Sequence, residues 1–284
     1  MHAFLPDFEV YTPRSLREAL ALLNQNNHKP LAGGTDLMVL LAAGNLPAGS
    51  YLNVNGLEEL GGMEVGKDKV RLGALTTYTE IRRQAILCKE FPNLVAAARQ
   101  TGALAIQNRG TIGGNIANAS PAADSPPALL TYDAEIKLIS EKGTRVVPYK
   151  DFHLGYKKTL LGTNELIHSV YVPRRFRNWH HYYRKVGARK SQAISKVIIA
   201  ACALMNKDRI QDIRLSAGSV APYTLRCFQT EEILRGEKKS QAAIQKAKTM
   251  ILSEISPIND IRSTAKYRRY VTTQLLEEFL LSLP

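Results

Sequence analysis

Leu31-Ala32-Gly33-Gly34-Thr35-Asp36-Leu37 and, further along the chain, Thr111-Ile112-Gly113-Gly114-Asn115 are the stretches on which the reading of this sequence turns. In the first, Pro30-Leu31-Ala32 reads as a short buried strand that breaks at paired glycines, and Thr35 to Leu41 reads as helix. A strand that meets a helix N-terminus through glycines gathers N–H groups that no helical carbonyl accepts and adds the positive end of the helix dipole, so such a turn suits an anion. The second stretch repeats the theme and is followed by Ser120-Pro121-Ala122-Ala123-Asp124. Either turn alone reads equally well as structural punctuation. Two in one chain point to a ligand with two linked anionic groups, a dinucleotide-like molecule. No G-x-G-x-x-G is present, so the ligand is not expected to be held in the Rossmann manner.

The flanks of these turns alternate between helix and strand. Leu16, Ala19, Leu20 and Leu23 recur at helical spacing behind a candidate capping box of Ser15 and Glu18. Tyr51 to Val54 and Val70 to Leu75 read as strands, Thr77 to Gln84 and Asn93 to Gln100 as helices. Past residue 140 the pattern changes. Glu165 to Val172, His181 to Val186, Val197 to Leu204 and Ile210 to Ala217 are strand-like runs spaced for an antiparallel meander. Thr230 to Leu234, Gln241 to Ile255 and Lys266 to Leu281 read as helices. A shift of composition near Pro173-Arg174-Arg175 marks the best domain boundary, and 284 residues suit two domains or one large domain with subdomains.

Charge follows the same division. The net of +13 is carried by the second half: residues 1–140 hold 12 Lys and Arg against 13 Asp and Glu, whereas residues 141–284 hold 26 against 12. A surplus of that size suggests nucleic acid, but no aromatic-and-basic recognition motif accompanies it, so no nucleic-acid partner is expected. The longest apolar run, Val197 to Met205, is far short of the roughly 20 residues of a membrane span. No basic n-region opens the chain, and the expectation is a cytoplasmic protein. Cys88, Cys202 and Cys227 are too few and too scattered for a disulfide framework, a C-x-x-C zinc site or a four-cysteine iron–sulfur centre. Gly61 to Asp68 imitates a Walker A loop but ends in Asp where a hydroxyl should hold magnesium, and a strand follows where a helix is required. His180-His181, beside Trp179, Tyr182 and Tyr183, reads more readily as strand surface than as a metal site.

Ala32-Gly33-Gly34-Thr35-Asp36-Leu37, Gln107-Asn108-Arg109-Gly110-Thr111-Ile112-Gly113-Gly114-Asn115 and Ser120-Pro121-Ala122-Ala123-Asp124 together resemble the FAD-binding (medium) subunit of the molybdenum hydroxylases. Val70-Arg71-Leu72-Gly73-Ala74, Glu165-Leu166-Ile167, Arg184-Lys185-Val186 and Tyr267-Arg268-Arg269 extend the resemblance nearly end to end. It implies an α+β fold: a vanillyl-alcohol-oxidase (PCMH-type) FAD-binding domain over 1–176, with subdomains of about 1–55 and 56–176, then a C-terminal domain over 177–284 with a three-stranded antiparallel sheet and helices. It also implies residue roles. Lys29, Pro30, Leu31, Ala32, Gly33, Gly34, Thr35 and Asp36 would wrap the diphosphate, with N–H groups of Gly33, Gly34 and Thr35 as donors. Thr111, Gly113, Gly114 and Asn115 would form the second diphosphate loop, Asn118 a further polar contact, and Asp124 an acceptor for ribose or ribityl hydroxyls.

Near the flavin, the resemblance implies Ile167 and Ile194 as apolar covers, Tyr156 as a neighbour and Lys185 as a cation in contact with the N1–C2=O edge. Thr101 stands where relatives can stack an aromatic ring on adenine, and Gln192 where several carry an acid. The chain would be an electron-transfer subunit of a heterotrimer, itself commonly doubled. [2Fe-2S] clusters and molybdopterin would sit on an iron–sulfur and a molybdenum-binding partner subunit, and NAD or another acceptor would take the electrons. The branch expected is xanthine dehydrogenase, with aldehyde, nicotinate or carbon monoxide oxidation as the alternative. Arg174, Arg175, Arg177, Arg184, Lys185, Arg189 and Lys190 are expected to crowd the flavin edge as a docking patch.

Overall fold

In a computed structural model, in which residues 7–25, 28–189 and 191–284 are described, the strand expected at Pro30-Leu31-Ala32 is Lys29–Leu31. It lies at the edge of a three-stranded parallel sheet in the order Phe8–Tyr11, Gly49–Asn53, Lys29–Leu31. Helix Leu16–Gln25 covers this sheet by burying Ala19, Leu20 and Leu23 against Leu52, Val54 and Leu60. Ser15 Oγ caps it by accepting from the Glu18 N–H at 3.2 Å, while the Glu18 carboxylate reaches back to the N–H of Arg14 rather than to that of Ser15.

A second sheet is wholly antiparallel, in the order Met63–Val65, Lys69–Gly73, Leu166–Pro173, Glu135–Ser140, Gly143–Pro148. The Walker-like segment is therefore a hairpin: Gly66 N–H donates to Lys69 O and the strands on either side pair. Leu166–Pro173 is the central strand here, not part of a meander with the strands that follow it. Its near-continuous apolar sequence suits burial on both faces, which periodicity alone does not assign to either sheet. Helices Tyr78–Arg83, Pro92–Gln100 and Ser125–Thr131 close the core around Phe91, Tyr132 and Phe176. Thr77 and Glu80 form a reciprocal capping box on the first of these.

The remaining strands, His180–Val186, Val197–Asn206, Arg209–Gly218 and the two-residue Leu225–Arg226, form a third antiparallel sheet. It has four strands rather than the expected three, because Ser216 and Ala217 pair with Arg226 and Leu225. Helices Gln241–Glu254 and Ala265–Ser282 pack on it through Ile244, Ile251, Leu276 and Phe279. His181 lies on this sheet against Tyr132, its Nδ1 3.4 Å from the phenol oxygen, and burial pushes its pKa down to about 4. No group of residues suited to holding a metal occurs among the described residues, nor any helix long and apolar enough to cross a membrane.

Folding takes three members out of the expected basic patch, while Arg189 does line the cleft between the glycine turns. Arg174 donates from Nε and Nη2 to the buried Glu90 carboxylate at 2.7 and 2.6 Å, which holds Glu90 below the usual carboxylate range. Arg175 is paired with Asp133, and Lys185 is buried. Lys190 lies outside the described residues. Arg174→Glu is therefore expected to lower the melting temperature of the isolated chain clearly, because it sets two carboxylates against each other at Glu90. Unchanged thermal melting by circular dichroism would return Arg174 to the list of free surface cations.

Candidate functional site

A cleft of about 1330 Å³ runs between the two glycine turns, the Ser120–Asp124 loop and the loops that flank the third sheet. It exceeds the roughly 300–1,000 Å³ of ordinary small-molecule pockets. Pro30, Ala32, Gly33, Gly34, Thr35, Asp36, Thr101, Thr111, Gly113, Gly114, Asn115, Asn118, Asp124, Tyr156, Ile167 and Ile194 all line it. Lys29, Leu31 and Lys185 do not.

The two turns differ in what they offer. Among the described residues the N–H groups of Gly33, Gly34 and Thr35 have no hydrogen-bond partner, and Gly34 sits at φ +73°, a conformation glycine adopts without strain. The helix behind them begins only at Leu37, two residues later than expected, so these donors precede its first turn. In the second turn the amides are already used. Ile112 donates to Thr76 O, Gly113 to Ala74 O, Gly114 to Thr111 Oγ1 and Asn115 to Thr111 O. What this turn presents instead is side-chain chemistry. The Thr111 hydroxyl accepts from Gly114 and retains its own proton to donate, and the Asn115 carboxamide, whose oxygen accepts from Ser125 Oγ at 2.5 Å, retains its N–H₂.

The glycines are also required by the protein itself. A Cβ on Gly33 would lie 1.8 Å from the carbonyl oxygen of Arg109, and one on Gly113 would lie 2.7 Å from Ala74 Cβ. The first turn thus rests directly on the backbone that enters the second, and the two are held at one fixed separation.

Asp124 stands beyond the second turn. Its Oδ2 accepts from Lys185 Nζ at 2.8 Å, while Oδ1 is buried with no partner. Burial pushes this carboxyl up to about 6 in spite of the ammonium beside it. The third sheet and the loops at its ends grip the backbone around it. Ser219 N–H donates to Pro121 O, Ser195 Oγ to Ala122 O and Tyr183 Oη to Asp124 O. Arg268 completes the clamp, with Nη1 donating to Lys196 O and Ser219 O and Nη2 to both oxygens of Asp260. Sequence reading singles out neither Ser195 nor Ser219, and places Tyr183 only on a strand surface. The one available signal was Arg268, a cation on a helix face otherwise built for burial.

At the far end, a bulge in the central strand between Ile167 and Ser169 re-aims the backbone, and Ile167 lines the cleft while only 6% exposed. Tyr156 and Ile194 flank the mouth, both more than half exposed. Gln192 is at φ +52°, and its carbonyl accepts from Nε of Arg189, so a guanidinium stands beside this position.

A cleft that pairs free amide donors with a buried, unsatisfied carboxylate oxygen has the groups that a diphosphate joined to a hydroxylated sugar or ribityl chain requires, and FAD fits that description. Residues 6–175 match the FAD binding domain in molybdopterin dehydrogenase, and residues 181–283 match the CO dehydrogenase flavoprotein C-terminal domain. The chain belongs to the FAD-binding subunits of the molybdenum hydroxylase family, and is an electron-transfer oxidoreductase subunit of that type. It is 33% identical to the glyceraldehyde dehydrogenase medium chain of Sulfolobus acidocaldarius, covering 95% of this chain and 96% of that one. It is 29% identical to the xanthine dehydrogenase FAD-binding subunit of Escherichia coli O157:H7, over 96% and 95%. A carbon monoxide dehydrogenase chain of Hydrogenophaga pseudoflava superimposes with a TM-score of 0.93 at 29% identity, covering 97% and 96%.

Proposed function

We propose that this subunit holds FAD along the cleft and passes electrons from [2Fe-2S] clusters of a partner subunit to NAD or another acceptor, while a molybdenum-binding partner oxidises the substrate. The observation that carries the cofactor assignment is the set of unpartnered N–H groups of Gly33, Gly34 and Thr35, residues that line the same cleft as Asp124, whose Oδ1 is buried and unpartnered. In this reading the first turn binds the diphosphate through its backbone, and Thr111 and Asn115 add side-chain donors. Asp124 accepts from a ligand hydroxyl, and Ile167, Tyr156 and Ile194 exclude water around the ring system. FAD, when bound, supplies a centre that exchanges electrons singly or in pairs. The residues of this chain position and shield it; none is asked to act as an acid or base on the substrate. The matched spans support 1–176 as the FAD-binding region and 177–284 as the C-terminal domain.

On substrate, the purine reading has no advantage. The 33% relative is a glyceraldehyde dehydrogenase subunit, and the carbon monoxide dehydrogenase chain matches no less well than the xanthine dehydrogenase subunit. These likenesses support an aldehyde, nicotinate or carbon monoxide oxidising complex over a purine one. The purified chain is expected to carry or take up one FAD, read as a visible flavin spectrum with quenched fluorescence; a colourless chain that leaves FAD fluorescence unchanged would end the assignment. Co-expressed with its partner subunits, it is expected to reduce an acceptor with aldehydes, nicotinate or carbon monoxide. Oxidation of purines alone would reinstate the xanthine branch.

A further inference from the structure

We propose that Lys185 is a positioning residue that acts through Asp124, holding one carboxylate oxygen and leaving the other for a ligand hydroxyl, and that it does not touch the cofactor. The inference rests on the flavin reading above and concerns what Lys185 does within it. Four observations carry it. Lys185 Nζ donates to Asp124 Oδ2 at 2.8 Å and to Gln100 O at 3.0 Å, so two of its three protons are committed within the chain. Its side chain is 6% exposed and contributes nothing to the cleft wall, whereas Asp124 does line the cleft. Asp124 Oδ1 is buried and unpartnered. Tyr183, two residues before Lys185 on the same strand, donates to Asp124 O, so one strand of the third sheet fixes both the backbone and the side chain of this residue.

The arrangement has an electrostatic purpose. A buried carboxylate near a diphosphate would repel it, and an uncompensated one would take up a proton. Lys185 cancels the charge from behind and leaves Oδ1 able to accept from a ligand hydroxyl. The ionisable groups facing Asp124 are few. Among the described residues Lys185 is the charged one; Tyr78 and Tyr183 are phenols that burial pushes far up, and Thr101 offers only a hydroxyl. With the carboxyl near 6 in the ligand-free chain, FAD affinity should weaken as pH falls through that value. Removing the ammonium raises the carboxyl further, by about 1–3 pH units for an opposite charge at this range, and moves the weakening toward neutral pH.

The test is a double-mutant cycle on the full chain, with FAD affinity read by fluorescence quenching at several pH values and the flavin midpoint potential measured on the loaded protein. Lys185→Met and Asp124→Asn should each weaken FAD binding by about tenfold or more at neutral pH, and the double variant should be no weaker than the worse single one. Lys185→Arg should restore much of the affinity, and the potential of Lys185→Met should equal that of the wild type. Lys185→Gln, which keeps a donor but no charge, serves where Lys185→Met melts early. Losses that add in the double variant, or a potential lowered by Lys185→Met as expected of a cation at the ring, would overturn the inference while the flavin reading stood. A wild-type chain that takes up no FAD would overturn both.

Discussion

Gly33→Ala is expected to abolish FAD retention while the rest of the chain stays folded. The added Cβ has no room: it would lie 1.8 Å from the carbonyl oxygen and 2.6 Å from the carbonyl carbon of Arg109, both backbone atoms that no rotamer change can move. The first turn must shift away from the second, taking the free N–H groups of Gly33, Gly34 and Thr35 with it. Overpacking against backbone costs about 3 kcal/mol, which at about 1.4 kcal/mol per decade is a hundredfold or greater loss of affinity. Gly114→Ala provides the contrast. Its Cβ would meet only the Thr111 hydroxyl, at 2.9 Å, and its expected effect is loss of a helix cap worth about 1 kcal/mol. Equilibrium dialysis against FAD measures both, and equal losses in the two variants would show that the contact between the turns is not what sets the site.

Arg226→Met should destabilise the chain by about 3–5 kcal/mol, because it leaves a buried acid without its counter-charge. Arg226 donates to both oxygens of Glu231, to Asp133 Oδ1 at 2.6 Å and to Leu130 O at 2.9 Å, so it ties helix Ser125–Thr131 of the FAD-binding region to helix Phe228–Leu234 of the C-terminal half. Glu231 is 2% exposed, and burial pushes its carboxyl above the usual range even with Arg226 present. Without Arg226 that displacement grows. A folded chain that holds a proton more tightly than the unfolded one is most stable below the unfolded pKa and loses stability as pH rises toward the folded value. Urea midpoints of the variant should therefore fall as pH rises above the ordinary carboxylate range, more steeply than those of the wild type. Parallel pH profiles would mean that Glu231 finds another partner.

Much of the architecture was legible in advance because it is written in local pattern. Val197–Asn206 and Arg209–Gly218 form one hairpin near their expected bounds, since apolar content there is high and the break at Lys207-Asp208 is sharp. Leu166–Pro173 reads as a strand of the later meander but belongs to the second sheet. Its partners, Lys69–Gly73 and Glu135–Ser140, lie on either side of it, and pairing at that distance in sequence leaves no mark in a window of ten residues. Leu225–Arg226 leaves no mark in the sequence because two residues carry no periodicity.

In the site the division is sharper. The sequence alone determined that two glycine turns exist, that an acid follows the second, and that they belong to a known way of holding FAD. Those are properties of short contiguous stretches, where the need for a Cβ-free residue shows directly as glycine. Only the tertiary structure decided which amides are free. The first turn keeps its N–H groups unpaired, whereas the second gives them to Ala74, Thr76 and Thr111, and no motif distinguishes a free donor from a committed one. It likewise buried Lys185 against Asp124 and spent Arg174 and Arg175 on Glu90 and Asp133. A charge is visible in the sequence, but its partner comes from a remote segment, so whether it faces a ligand or a carboxylate is settled only when the chain has folded.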